Sequence, residues 1–205
     1  PVGAWVRAYD PDGVQVGDWV LSKSHGVRAF YDIDTPVTLR ALRNGGTPYL
    51  EPRQVSEYDL YLTFAGGPVL SRLNRELGAR MVRPLYCSAD PESYPRLDAE
   101  REWDLGYLGT YSSDRQAALE YLLLSPARSF PEGRFIVAGP QYPDDIRWPE
   151  NVARVPHVAP PEHAAFYAKQ RFTLSVTRRD MLLAGYSPSV RLFEAAACGT
   201  PVITD

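Results

Sequence analysis

The stretch "YSPSVRLFEAAACGTPVITD", residues 186–205, decides how the rest of the chain is read. Ser187 suits a helix N-cap and Pro188 a first helical position, while Gly199 stands where a finished helix needs a left-handed residue. Val190, Phe193 and Ala197 form one apolar stripe, with Leu192 and Ala196 beside it, and 201–204 (PVIT) reads as a strand. Ser187, Arg191 and Glu194, at i, i+4 and i+7, fall on another face. Helical side chains lean toward the helix N-terminus, which in an α/β unit is the carboxyl edge of the sheet, where ligands bind. Glu194 is therefore expected to lean toward a ligand crevice. A carboxylate accepts from both hydroxyls of a ribose diol and so suits a nucleotide sugar. The plain alternative is an Arg191–Glu194 surface pair, worth about a few tenths of a kcal/mol.

Working outward, short β-rich runs alternate with helical patterns, the signature of βαβ units and a mostly parallel sheet. Strands are expected near 18–22, 27–33, 57–63 and 80–83, with helices at 36–43 and 67–77, the second stopped by Gly78. The polar stretch 86–102, "YCSADPESYPRLDAERE", carries Pro91 and Pro95 and reads as a linker. A second series follows: strand 103–108, helix 113–124, strands 134–138 and 152–155, helix 161–169, strand 171–176, a long loop, helix 188–198 and strand 201–204. The division is a first α/β domain over 1–88, a linker over 89–102 and a second α/β domain over 103–205.

Residues just after strands are the functional candidates in such sheets. In the second domain the loop "LGTYSSDR" offers Gly109 for close backbone approach, the Thr110 hydroxyl and the Arg115 cation at a helix start, where free N–H groups favour a diphosphate. An ordinary N-cap is the competing reading. Arg178 and Arg179, in the loop that feeds the Glu194 helix, are candidates for neutralising a leaving diphosphate. In the first domain the same rule selects His25 as a candidate base, with a satisfied structural histidine as the competing reading. It also selects Asp32 and Asp34, either of which could take an acceptor hydroxyl's proton or hydrogen-bond a sugar. "FAGGP" places Gly66 and Gly67 where backbone N–H groups meet donor phosphates or simply form a turn.

Composition removes several function classes. The 205-residue chain is 44% hydrophobic and carries a net charge of -3, without a Lys/Arg run of the kind that binds nucleic acid. It contains no apolar run of about 18 residues and no signal-peptide pattern, so no membrane span is expected and the cytoplasm is the expected location. Cys87 and Cys198 lack metal-ligand spacing and read as small buried residues. The dinucleotide fingerprint G-x-G-x-x-G and the P-loop are both absent. The chain begins at Pro1 and stops at Asp205 directly after a strand, which reads as a piece of a longer protein.

"YSPSVRLFEAAACGTPVITD" resembles the signature of the C-terminal domain of GT-B glycosyltransferases. "FYDIDTPVTLRAL", "YDLYLTFAGGPVLSRL", "LYCSADPESY" and "TRRDMLLAGYSPSVRLFEAAACG" resemble the CgeB-like (spore maturation protein) glycosyltransferases. The resemblance implies two Rossmann-like domains of GT-B type facing a cleft, the first and the end of the second incomplete here. A nucleotide diphosphate sugar then sits mainly on the C-terminal domain, and an acceptor (glycan, protein or small molecule) mainly on the N-terminal one. Glu194 matches the second Glu of the family's Glu-x7-Glu motif, which binds the donor ribose. Tyr186 occupies the place of the first Glu, so neither that residue's sugar contact nor a retaining mechanism carries over. The family implies transfer without a resident cofactor or metal. Two other readings stay open: a nucleotide-sugar epimerase of the same fold, and a non-catalytic sugar-binding or spore-coat assembly protein.

Overall fold

The computed structural model describes residues 3–205, which divide into two α/β units. One runs to Cys87 and also takes in Asp180–Pro188; the other comprises Ser88–Arg179 and Ser189–Asp205.

The first unit runs β1 (Ala4–Arg7), α1 (Gly13–Lys23), β2 (Arg28–Asp32), α2 (Thr35–Arg43), α3 (Pro52–Val55), β3 (Leu60–Thr63), α4 (Pro68–Leu77) and β4 (Val82–Pro84). All pairings are parallel, in the order β1-β2-β3-β4. Val6, Phe30 and Tyr61 are register partners on one face and form the core with Val20, Leu39, Val55 and Leu73 from the four helices. Because the strand order never reverses, these strands contain no topological switch point.

The strand expected at 18–22 is instead part of α1. Gly13, Gly17 and Val20 are its buried residues, at helical spacing, while Trp19 is exposed. A β carbon on Gly17 would lie 2.7 Å from the Tyr58 hydroxyl oxygen, so close packing on α3 and its flank selects glycine at this position. β1 was not expected from the sequence, and α4 ends on Gly78 at φ 70°, the left-handed stop that was expected.

The second unit runs β5 (Trp103–Leu108), α5 (Ser113–Leu119), a π-helical turn (Glu120–Leu124) and α6 (Ser125–Ser129). β6 (Phe135–Ala138), β7 (Val152–Val155), a 3-10 turn (Pro160–Glu162), α7 (His163–Ala168) and β8 (Gln170–Ser175) follow. α8 (Arg179–Ala184) lies in the stretch read as loop and passes into the first unit, after which α9 (Val190–Ala197) and β9 (Val202–Thr204) complete the fold. The sheet is parallel, in the order β7-β6-β5-β8-β9. Both faces are covered. On β6, Phe135 and Val137 meet Leu119, Leu123 and Leu124, whereas Ile136 and Ala138 meet Ala164, Tyr167, Ala195 and Cys198. The chain winds from β5 through β6 to β7, then places β8 on the other side of β5, so the switch point lies between β5 and β8.

Candidate functional site

At that switch point the loops after β5 and β6 are tied together. The Gly109 N–H donates to the Ala138 carbonyl (2.8 Å), and the Tyr111 N–H donates to Pro140 (3.0 Å). The Tyr142 hydroxyl donates to the Gly109 carbonyl (3.1 Å). Gly139 has φ 139°, and a β carbon there would collide with the Gly109 carbonyl, so this backbone approach requires glycine. Arg154 is held between the rings of Tyr142 and Trp148, 4.2 and 4.1 Å from their centroids, and donates to the Val137 carbonyl (2.7 Å), which anchors the loop after β6.

Arg115 donates to the Thr110 carbonyl (2.6 Å) and shapes the loop that was expected to hold phosphate. Asp114 accepts from the Ser112 hydroxyl and from the Arg179 N–H (3.0 Å), which draws the loop after β8 to the start of α5. Arg191 reaches back from α9 to donate to the Leu108 carbonyl and to the Ser189 hydroxyl (3.0 Å), with its guanidinium 5.4 Å from the Tyr107 ring centroid. Gly109, Thr110, Arg115, Arg179 and Arg191 are thus brought to the carboxyl ends of β5 and β8, with Arg178 adjoining. The hydroxyl of Tyr107, Nε of Arg115 and Oε1 of Gln116 are buried beside this loop without a hydrogen-bond partner among the described residues.

Glu194 lies three residues after Arg191 yet does not pair with it. Its carboxylate is buried, and the Tyr94 hydroxyl donates to Oε1 and the Tyr167 hydroxyl to Oε2, each at 2.9 Å. The surface-pair reading therefore fails: Arg191 turns Nε and Nη1 to Leu108 and Ser189, and two phenols hold the carboxylate. Tyr94 also contacts His163 Nδ1 at 3.2 Å, and His163 Nε2 lies 3.2 Å from the Val158 carbonyl oxygen. Burial, reinforced by the Glu194 charge, raises both phenols well above the usual tyrosine range and pushes the Cys198 thiol up to about 11. Neither tyrosine was singled out by the sequence. Tyr94 stands in the stretch read as a linker and Tyr167 on an apolar helix stripe, and no local pattern marks either one.

Several sequence candidates are corrected. Ser187 is not the cap of α9: its hydroxyl donates to Gly185 (3.1 Å) within the first unit, and Ser189 caps the helix by accepting from the Arg191 N–H. His25 is exposed and follows a helix, so it stands at the amino end of β2 and the strand-end rule no longer selects it. Asp32 is fully buried, accepting from Tyr61 (2.6 Å), Thr38 (2.9 Å) and the Asp34 N–H (3.2 Å), so no acceptor hydroxyl reaches it. Burial pushes its carboxyl up to about 6. Asp34 is half-buried at the start of α2 and accepts from the Tyr9 hydroxyl (2.7 Å). The Gly66 N–H already donates to the Tyr186 carbonyl (2.8 Å), and the Tyr186 ring lies against Gly67, so this loop serves as a packed turn.

Among the described residues no group of three or more His, Cys, Asp or Glu side chains gathers as metal ligands would, and no helix is long and apolar enough to cross a membrane. Cys87 and Cys198 are both buried.

Residues 115–205 match the glycosyl transferase-like family. No curated protein matches the chain. Among solved structures, sucrose-phosphate synthase from Thermosynechococcus elongatus is similar at 15% identity and TM-score 0.64, covering 93% of this chain and 53% of its own. A UDP-forming α,α-trehalose-phosphate synthase from Burkholderia xenovorans is similar at 10% identity and TM-score 0.64, covering 98% of this chain and 58% of its own. AviGT4, a glycosyltransferase involved in avilamycin A biosynthesis, is similar at 18% identity and TM-score 0.55, covering 94% and 58%. The chain spans little more than half the length of these proteins. The fold is α/β of GT-B type, with Rossmann-like units and parallel sheets.

Proposed function

We propose that the chain is the nucleotide-sugar-handling part of a CgeB-like glycosyltransferase, moving a hexose from a nucleotide diphosphate donor to an acceptor hydroxyl in the cytoplasm. The observation that carries this reading is the strand-order reversal between β5 and β8, at whose carboxyl ends Gly109, Arg115 and Arg191 meet the start of the Glu194 helix. A cationic, glycine-lined strand end suits a diphosphate, and a carboxylate suits a ribose diol. The glycosyl transferase-like match over 115–205 takes in Arg115, β8 and the Glu194 helix, and begins after β5 and Gly109.

In the proposed reaction Arg115, Arg178, Arg179 and Arg191 offset the charge that develops on the departing diphosphate, and Glu194 fixes the ribose. Asp34 is the carboxylate we assign to the acceptor hydroxyl. Orientation of the two substrates and electrostatic support of the leaving group supply most of the rate, without a resident cofactor. Calorimetric titration of UDP and GDP into wild type and Glu194→Ala tests the reading. One nucleotide is expected to bind wild type and to weaken at least about tenfold in the variant, as loss of a paired charged hydrogen-bond acceptor predicts. Unchanged affinity in Glu194→Ala would remove the ribose role.

A further inference from the structure

Tyr94 has one hydroxyl proton and two neighbours competing for it. Its oxygen lies 2.9 Å from Glu194 Oε1 and 3.2 Å from His163 Nδ1, while His163 Nε2 lies 3.2 Å from the Val158 carbonyl oxygen. A carbonyl can only accept, so Nε2 carries a proton toward Val158. The Tyr94 proton goes to the carboxylate, the stronger acceptor. The remaining contact, Nδ1 to the Tyr94 oxygen, is a hydrogen bond only when Nδ1 is protonated as well. A neutral imidazole satisfies one of its two contacts here, and an imidazolium satisfies both.

We propose that His163, Tyr94 and Glu194 form a proton-linked relay: doubly protonated His163 donates to Tyr94, Tyr94 donates to Glu194, and the carboxylate is thereby set for nucleotide. His163 and Tyr94 are positioning residues on this account, which rests on the ribose role proposed for Glu194. A carboxylate has about four lone-pair positions. Tyr94 and Tyr167 take one on each oxygen, which leaves one on each for the two hydroxyls of a diol. The terminal carboxylate torsion is otherwise broad, so pinning both oxygens removes freedom that binding would have to freeze. The other groups facing the relay are Tyr167 from α7 and Cys198 from α9, with Arg191 acting electrostatically on Tyr167. Glu162, beside His163, accepts from the Ala159 N–H. Tyr94, Tyr167 and Cys198 all hold their protons through neutral pH, which leaves the Nδ1 proton of His163 as the one the relay adds.

The test combines UDP and GDP titration from about pH 5.5 to about 8.5, the imidazole range, with ring 15N NMR of His163, in wild type, Glu194→Gln, Tyr94→Phe and His163→Gln. Wild type is expected to bind one nucleotide. Tyr94→Phe is expected to bind it roughly fivefold more weakly across the whole range, about one net hydrogen bond, and His163→Gln to bind it more weakly at the acidic end only, with the difference closing as pH rises. The ring 15N resonances of His163 are expected to change in Glu194→Gln. If Glu194→Gln weakens binding while Tyr94→Phe and His163→Gln keep wild-type affinity and pH profile, the relay is overturned and the ribose reading stands. A His163 ring indifferent to Glu194→Gln also overturns it. If wild type binds neither nucleotide, the ribose reading fails and takes the positioning role with it. Should Tyr94→Phe fail to fold, His163→Gln decides by the same criteria.

Discussion

The Tyr167 hydroxyl lies 2.9 Å from Glu194 Oε2, joining two helices that share one face of the second sheet. Tyr167 is fully buried, so its phenol and the carboxylate satisfy each other away from water. Tyr167→Phe removes the donor and leaves the carboxylate short of one partner, which is expected to lower unfolding free energy by about 2 kcal/mol. Glu194→Gln is expected to cost less, because an amide can still accept from one phenol and donate to the other. The double variant is expected to lose less than the two single losses combined, the mark of a direct interaction. Urea denaturation of the four proteins measures this.

Asp32 makes the first unit's stability depend on pH in an unusual direction. Its carboxyl is raised by burial from 3.8 to about 6, so between these values the folded chain holds a proton that the unfolded chain has released. Stability from this group therefore falls as pH rises from about 4 to about 6, by an amount on the order of 3 kcal/mol. Asp32→Asn is expected to flatten that part of the profile. Denaturation midpoints at the two ends of the window, compared between wild type and variant, give the answer.

Asp59 works with the opposite sign. Arg28 donates to it through Nε (2.9 Å), Nη2 (2.8 Å) and its backbone N–H (3.0 Å), and these bonds hold the carboxyl well below its usual range. The stabilisation is present above about pH 4 and is lost as pH falls through the lowered value. Both side chains are partly exposed, so solvent screening limits the contribution and Asp59→Asn is expected to cost only about 1 kcal/mol at neutral pH. That difference is expected to shrink on acidification, which a denaturation series in acid would reveal.

Gly139→Ala tests the backbone approach between the loops after β5 and β6. With φ at 139° and the Gly109 carbonyl in the way, the substitution is expected to cost more than about 2 kcal/mol and to lower nucleotide affinity. Gly45→Ala has a similar positive φ in open space and is the control, with backbone strain but no collision. Thermal melts and UDP titration of both variants separate strain from crowding.

Much of the second sheet was readable because its strands are continuous apolar runs between turn residues; 103–108 and 152–155 begin and end as β5 and β7 do. α1 was misread because Val16, Trp19 and Val20 give it a strand-like composition, whereas tertiary contacts at Gly13 and Gly17 impose the helix. The cap of α9 fell to Ser189 although Ser187 and Pro188 fit the usual order, because Ser187 is engaged with Gly185. The partners of Glu194 did not follow from the sequence, since Tyr94 is 100 residues away and only the folded chain brings it there.

The chain changes unit at Cys87–Ser88, again at Arg179–Asp180 and again at Pro188–Ser189. The short excursion is not idle: Asp180 pairs with Arg40, Ala184 packs on the first core, and the Tyr186 carbonyl receives the Gly66 N–H. A single cut after Cys87 would consequently leave neither product whole. The leading piece would lose the covering of its glycine turn, and the trailing piece would carry Leu182 and Leu183, already 57% and 76% exposed, on a segment stripped of its anchor. Chimeras that graft one unit should therefore leave 180–188 with its original host and splice at three junctions.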